Sequence, residues 1–173
     1  MQSLKERKSI RDFSDKELSL ETISSLLWAA TGVNRPDSGK RTTPTAVNWQ
    51  EIDIYVALGK GLYLYNPKEH ILELILAKDI RKFTGKQPFT QIAPLNLIYV
   101  ADFSRMSCGD EDKVFYSAVD TGFISQNVYL FCASEGLATV VLGMADKPAL
   151  SGIMGLNKNQ RVILTQPVGY PKE

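Results

Sequence analysis

Residues 111–134, E-D-K-V-F-Y-S-A-V-D-T-G-F-I-S-Q-N-V-Y-L-F-C-A-S, decide the fold. Val114, Phe115, Ala118, Val119, Phe123, Ile124, Val128, Leu130, Phe131 and Ala133 fall nearly all round a helical wheel rather than along one stripe. A helix apolar on every side belongs in an interior, either of its own domain or against a partner subunit. The pattern predicts one long helix, closed by Gly136, with shorter elements packed about it. Asp110, Glu111 and Asp112 stand at its start, where carboxylates favour the positive end of the helix dipole. That role accounts for the acidic cluster better than a catalytic carboxylate pair does.

Working outward toward the N-terminus, residues 95–101 (L-N-L-I-Y-V-A) read as a mostly apolar, central strand. Ile52, Ile54, Val56 and Leu58 alternate with Asp53, Tyr55 and Ala57, the period of two that marks a half-buried strand. Residues 62–65 and 70–76 flank Asn66-Pro67-Lys68-Glu69 and read as a hairpin. Ser19 is a suitable N-cap for a helix whose Ile23, Leu26, Leu27 and Ala30 share one face and which stops near Gly32. Residues 33–43 read as polar loop and residues 2–8 as a short helix. Toward the C-terminus, a strand at 138–142, a helix from Asp146 to about Met154 and a strand at 161–168 follow. Strands and helices mix without strict alternation, so the expected class is α+β with a central sheet. No repeat or linker divides residues 1–173, which are expected to form a single domain.

Bulk properties narrow the function. Hydrophobic residues make up 44% and charged residues 23%, the balance of a globular protein. A net charge of +1 does not supply the broad basic face that nucleic-acid binding needs. No apolar run reaches the roughly 20 residues of a membrane span, and Met1–Glu6 carry no signal-like core, so the chain reads as cytoplasmic. Cys108 and Cys132 form no C-x-x-C pair and are expected as unpaired thiols. His70 is the single histidine, which disfavours a Ser-His-Asp or Cys-His mechanism and leaves a zinc site too few ligands. There is no P-loop motif. An enzyme with this inventory relies on a cofactor, and no side chain is assigned as catalytic acid, base or nucleophile.

Three segments carry ligand chemistry. In Arg7-Lys8-Ser9-Ile10-Arg11, three cations and a hydroxyl lie within five residues, and Ser9 and Arg11 share one side of an extended chain. Forked guanidinium donors suit a phosphate. In the segment Arg41 to Gln50, small residues beside Asn48 and Gln50 suit a flat heterocycle with donor and acceptor edges. Val140-Val141-Leu142-Gly143-Met144 is a strand end before a helix, a place where free backbone N–H groups occur.

Taken in order, these segments resemble the nitroreductase family of flavoproteins, and most closely its short SagB-type dehydrogenases. Arg7-Lys8-Ser9-Ile10-Arg11-Asp12-Phe13 is similar to the opening R-x-S-x-R-x-F, and Leu26–Arg35 to the helix and turn that follow. Arg41-Thr42-Thr43-Pro44-Thr45-Ala46 is similar to R-T-x-P-S-A, with Thr45 for Ser. Gly61–Tyr65 resembles G-L-Y-x-Y, Gly122–Leu130 resembles G-x-x-x-Q-N-x-x-L, and Pro167–Pro171 resembles P-V-G-x-P. The resemblance implies a mostly antiparallel sheet flanked by helices in an intertwined homodimer, with FMN at the interface. By position, Arg7, Lys8, Ser9 and Arg11 would hold the phosphate, the ribityl chain and the pyrimidine edge. Pro44, Thr45, Ala46 and Asn48 would face the ring from the partner chain, and Leu142 and Gly143 would offer N–H groups near flavin N5. Lys172 takes the place of the family's basic residue after the closing motif, and Asn48-Trp49-Gln50 is more polar than the branch's usual sequence. The activity implied is hydride transfer from NADH or NADPH to a small oxidised acceptor such as a nitro compound or quinone. The branch also admits oxidation of peptide azolines, and a non-catalytic flavin-binding dimer.

Overall fold

The computed structural model describes residues 1–172. In chain order its elements are α1 (Gln2–Glu6), α2 (Leu20–Thr31), β1 (Val33–Arg35), β2 (Lys40–Arg41), β3 (Ile52–Leu58), β4 (Gly61–Asn66) and β5 (Ile71–Leu76). Then come α3 (Phe89–Ile92), β6 (Leu95–Asp102), α4 (Asp110–Ser134), β7 (Ala138–Thr139), α5 (Lys147–Met154) and β8 (Gln160–Gly169). Six strands make one sheet in the order β5-β4-β3-β6-β8-β7, and every neighbouring pair is antiparallel. The class is α+β, as the mixed order of elements predicts.

Local chemistry sets the boundaries. Ser19 caps α2, its Oγ accepting from the Thr22 N–H at 3.1 Å. Asp146 caps α5 in the same way through the Ala149 N–H, and Gly155 closes that helix at φ 65°. Gly136, at φ 67°, turns the chain out of α4. Residues 33–43, expected as loop, instead contain the small antiparallel pair β1–β2, turned through Gly39 at φ 62°. The strand expected over 138–142 pairs only at Ala138–Thr139 and then by a single bridge at Leu142.

The sheet is buried on both faces. Ile52, Ile54, Val56, Leu97 and Tyr99 pack with Leu26, Leu27, Ile124 and Val128 beneath α2 and α4. Tyr55, Ala57, Ile98 and Val100 pack on the other side with Ile80, Leu150 and Met154. The alternation along β3 therefore does not separate core from solvent: Tyr55 and Ala57 are as buried as their neighbours. Each such side chain contributes about 1.5–3 kcal/mol of transfer free energy.

Helix α4 departs most from expectation. Its inward face buries Ser117, Asp120, Thr121 and Ser125 beside Ile124 and Val128. Phe115, Val119 and Phe123, at i, i+4 and i+8, are 62%, 37% and 44% exposed, with Val114 beside them. Among the described residues no helix is long and apolar enough to cross a membrane.

Gly169 ends β8 where a Cβ would meet Pro94 Cδ at 2.6 Å and Pro94 Cγ at 3.1 Å. Gly169→Ala is expected to lower stability by about 1–3 kcal/mol, read as a reduced urea midpoint.

Candidate functional site

After α1 the chain runs extended beside the end of the sheet. The Ile10 N–H donates to the Thr139 carbonyl at 3.0 Å, Phe13 bridges to Pro171, and the Ser14 N–H donates to the Tyr170 carbonyl. These bonds fix residues 7–14 against β7 and the segment following β8. Tyr129 of α4 adds a side-chain tie. Its Oη accepts from the Val141 N–H at 2.9 Å and shares a hydrogen bond with Ser9 Oγ, also at 2.9 Å. The Arg7 guanidinium stacks 5.3 Å from the centre of the same ring. One phenol thus joins the cationic segment to the strand end at 140–143.

Arg7, Lys8 and Arg11 have no carboxylate within 4.0 Å among the described residues. Lys8 lines a cleft of about 460 Å³ together with Lys5, Glu6, Tyr129, Gly136 and Pro171. Gly136 and Pro171 also line an adjoining hollow, where Lys172 sits with Lys16, whose ammonium lies 4.5 Å from the centre of the Tyr170 ring. At the strand end the two sequence-predicted N–H groups differ. The Leu142 N–H donates to the Thr165 carbonyl at 2.8 Å, whereas the exposed Gly143 has no partner for its own among the described residues. Leu142 therefore keeps only its side chain and position for a ligand, because its donor is spent on β8.

Residues 41–50 divide into two parts. The Thr42 and Thr43 hydroxyls donate to the Trp28 and Ala30 carbonyls, and Asn127 Nδ2 of α4 donates to the Ala29 carbonyl. These side chains satisfy the last turn of α2, which lacks intrahelical partners for its carbonyls. Pro44 to Gln50 form an outward loop. Thr45 Oγ1 accepts from the Gln50 N–H, the Ala46 N–H donates to Asp120 Oδ2 at 2.9 Å, and Asn48 Oδ1 accepts from Gln50 Nε2. Val47, Asn48 and Gln50 have φ of 41°, 60° and 50°. A β-branched residue in that region is strained, and Val47 is 79% exposed, so the loop's shape is imposed rather than preferred.

The two sets of predicted residues are attached to α4 nine residues apart, at Asp120 and Tyr129. That spacing puts the attachments on opposite sides of the helix and about 14 Å apart along it. Within one chain, Tyr129 brings Arg7 and Ser9 to the strand end at 140–143, with Lys8 and Arg11 on the same extended segment, while Pro44, Thr45, Ala46 and Asn48 form a separate, partly exposed loop. Sequence reasoning missed Tyr129, which looked like another ring in an apolar helix. Its partner Ser9 is 120 residues away, and no local spacing signals such a bond.

Sequence reasoning also missed Glu51. It is fully buried beside the strained loop, and among the described residues no basic side chain comes within 4.0 Å of its carboxylate. Burial raises its pKa to about 7, and the neighbouring Asp120 carboxylate pushes it the same way. Burial likewise raises Asp120. The two thiols are free, and burial lifts Cys132 to about 12. His70 pins the hairpin to α2, 2.6 Å from Ser24 Oγ and 2.8 Å from Tyr65 Oη. No cluster of three or more metal-ligating side chains is found among the described residues.

The nitroreductase family model matches residues 4–170. A nitroreductase-like protein of Methanocaldococcus jannaschii is 32% identical over 174 residues, covering 94% of this chain and 86% of that protein. The FMN reductase [NAD(P)H] of Bacillus subtilis is 25% identical over 156 residues; the match spans 83% of this chain and 53% of the Bacillus protein. The crystal structure of a nitroreductase-like protein from Ralstonia eutropha JMP134 superposes with a TM-score of 0.95 at 43% identity, covering all of this chain and 83% of the other.

Two measurements check the site's internal construction. Tyr129→Phe keeps the ring and strands the Val141 N–H and Ser9, so a loss of about 1–3 kcal/mol is expected in urea unfolding. For Glu51, a raised native pKa means that the folded state holds the proton longer than the unfolded state. Stability therefore falls as pH rises from about 4.5 to about 7 and is level above. Discounted for screening, the wild type should lose about 2 kcal/mol relative to Glu51→Gln between pH 4.5 and 8. An equal pH dependence in both proteins would count against a titrating Glu51.

Proposed function

The chain belongs to the nitroreductase family, and from that premise we propose that it is an FMN-dependent oxidoreductase. In this reading it works as a cytoplasmic homodimer, takes electrons from NADH or NADPH and reduces a small oxidised acceptor such as a nitro compound or quinone. The observation that carries the reading is the Ser9–Tyr129–Val141 hydrogen-bond chain, which sets three cations lacking carboxylate partners beside a strand end with a free N–H. The name of the Bacillus relative, an FMN reductase that uses NAD(P)H, supports the choice of cofactors.

The residues present fit FMN on chemical grounds. Unpaired guanidinium and ammonium groups suit a dianionic phosphate, and Ser9 adds a short donor. Arg7 is pre-oriented by its stacking on Tyr129, which reduces the rotamer entropy lost on binding. Lys172 and Lys16, in the adjoining hollow, add positive potential. When bound, FMN supplies two-electron chemistry between a nicotinamide donor and an acceptor. Arg11 would face the pyrimidine edge and favour the negative charge that reduction places there. Gly143 would direct its N–H at an electron-rich ring atom, and Pro44, Thr45, Ala46 and Asn48 would cover the ring from the partner protomer.

The homodimer draws support from α4. An apolar stripe of Phe115, Val119 and Phe123 exposed along one helix is a surface that association buries. The Trp49–Tyr116 pair, its rings 5.9 Å apart, ties the strained loop to this same end of α4, so closure there would carry the loop toward a neighbour.

An absorbance spectrum of the purified protein supplied with FMN, followed by anaerobic titration with NADH and NADPH, tests the reading. Bound flavin that bleaches is the expected result, and a colourless protein that takes up no flavin ends it. Arg7→Ala and Arg11→Ala should each weaken FMN binding about 10- to 100-fold, the equivalent of a lost charge-assisted hydrogen bond, with the fold retained by circular dichroism. Val119→Lys combined with Phe123→Lys should give a monomer by light scattering, with FMN affinity lost as well. A monomer that still holds FMN would rule out the shared site.

A further inference from the structure

Glu51 and Asp120 have no part in the reading above, yet they are built into it. Glu51 is the residue directly before β3, and Asp120 lies on the inward face of α4; both are buried, at 0% and 1% exposure. Asp120 Oδ2 receives the Ala46 N–H, which is the one side-chain bond from α4 to the outward loop. The loop holds three non-glycine residues in left-handed backbone to reach its shape. Its other ties are two internal backbone bonds, Asn48 N–H to the Thr45 carbonyl and Trp49 N–H to the Ala46 carbonyl, the bonds of Gln50 with Thr45, Asn48, Gly39 and Arg105, and the Trp49–Tyr116 ring contact. Glu51 directly follows the loop, its carboxyl within hydrogen-bonding reach of Asp120 and, among the described residues, with no basic group within 4.0 Å.

We infer that Glu51 and Asp120 are positioning residues: a single proton held on Glu51 and donated to Asp120 keeps Asp120 fixed as acceptor for the Ala46 N–H, and so holds the loop in the shape that meets the flavin ring. Two carboxylates in one buried space cannot both ionise without cost. When the shared proton leaves, the pair repels, Asp120 is free to swing, and the strained loop relaxes. The chemistry around the pair agrees with this. The charged and titratable neighbours are Arg105, bidentate on Asp53 and 3.6 Å from Asp102; Arg41 of β2, drawn chiefly to Asp53; and Cys108, before α4. Arg105 is committed to Asp53, Arg41 makes no ion pair and leaves its own Nε without a partner, and neither comes within 4.0 Å of Glu51 among the described residues, so the proton is what neutralises it. The loop's contact with a flavin rests on the function proposed above; the carboxyl pair and its hold on Ala46 do not.

Trp49 lies in the loop and reports on it without flavin. In the full chain carrying Trp28→Phe, Trp49 is the sole tryptophan, and its emission against Tyr116 is followed from pH 5.5 to 9. A transition near pH 7 is expected, and it should vanish in Glu51→Gln, which keeps an N–H donor for Asp120 but cannot ionise. Asp120→Asn removes the like charge, so it should move the midpoint down by about 1 unit; it covers the case in which Glu51→Gln does not fold. FMN affinity, read by flavin fluorescence in the same samples, should fall about tenfold from pH 6 to 8.5 in the parent and stay level in Glu51→Gln. An unchanged transition in Glu51→Gln, or no transition in the parent, overturns the inference. A Trp49 transition that behaves as expected in a protein that binds no FMN at any pH upholds the carboxyl pair and ends the flavin reading instead.

Discussion

Helix α4 carries three polar side chains that reach four different segments, and the arrangement of the molecule depends on them. Asp120 receives the Ala46 N–H, Asn127 donates to the last turn of α2, and Tyr129 joins Ser9 to Val141. One face of this helix is packed against the sheet and α2, and the other stays exposed. Apolar contacts with Leu26, Ile54 and Leu97 supply much of the free energy, but they do not specify direction. The buried hydrogen bonds do, since a misplaced partner leaves a donor or acceptor unsatisfied. The same side chains that hold α4 therefore also place the candidate ligand groups.

This economy explains why several sequence motifs turn out to serve structure and site together. Thr42 and Thr43 precede the outward loop, yet their hydroxyls close α2. Thr45 fastens the loop stem through the Gln50 N–H, a task that needs a hydroxyl oxygen and not specifically a serine. Leu142 spends its N–H on β8 and leaves the donor role to Gly143. In each case the backbone's demand for hydrogen-bond partners claims a group that residue chemistry alone offers to a ligand.

The outward face of α4 and the strained loop are both left uncovered in the single chain. Phe115, Val119 and Phe123 stay partly exposed, and Val47 keeps an unfavourable backbone conformation in open solvent. Such costs persist where the surroundings impose them. Asp120 supplies that imposition from within the protomer, at the price of a second buried carboxyl beside it.

The sequence by itself determined what depends on neighbours in the chain. Caps at Ser19 and Asp146, the glycine at 136, the apolar run at 95–101 and the length of the helix after Gly109 are local effects, so the elements were legible. The cationic cluster at 7–11 was legible too, because its members are consecutive. Tertiary structure decided everything that needed two distant residues. It placed Ser117, Asp120, Thr121 and Ser125 on α4's buried face beside Ile124 and Val128 and left an apolar stripe exposed, which a helical wheel of apolar residues cannot reveal. It brought Tyr129 to Ser9 across 120 residues and Glu51, at the start of β3, to Asp120 of α4. It also separated Arg7 and Arg11 from Pro44 and Asn48, because a helix turns through 100° per residue and nine residues carry two side chains to opposite sides.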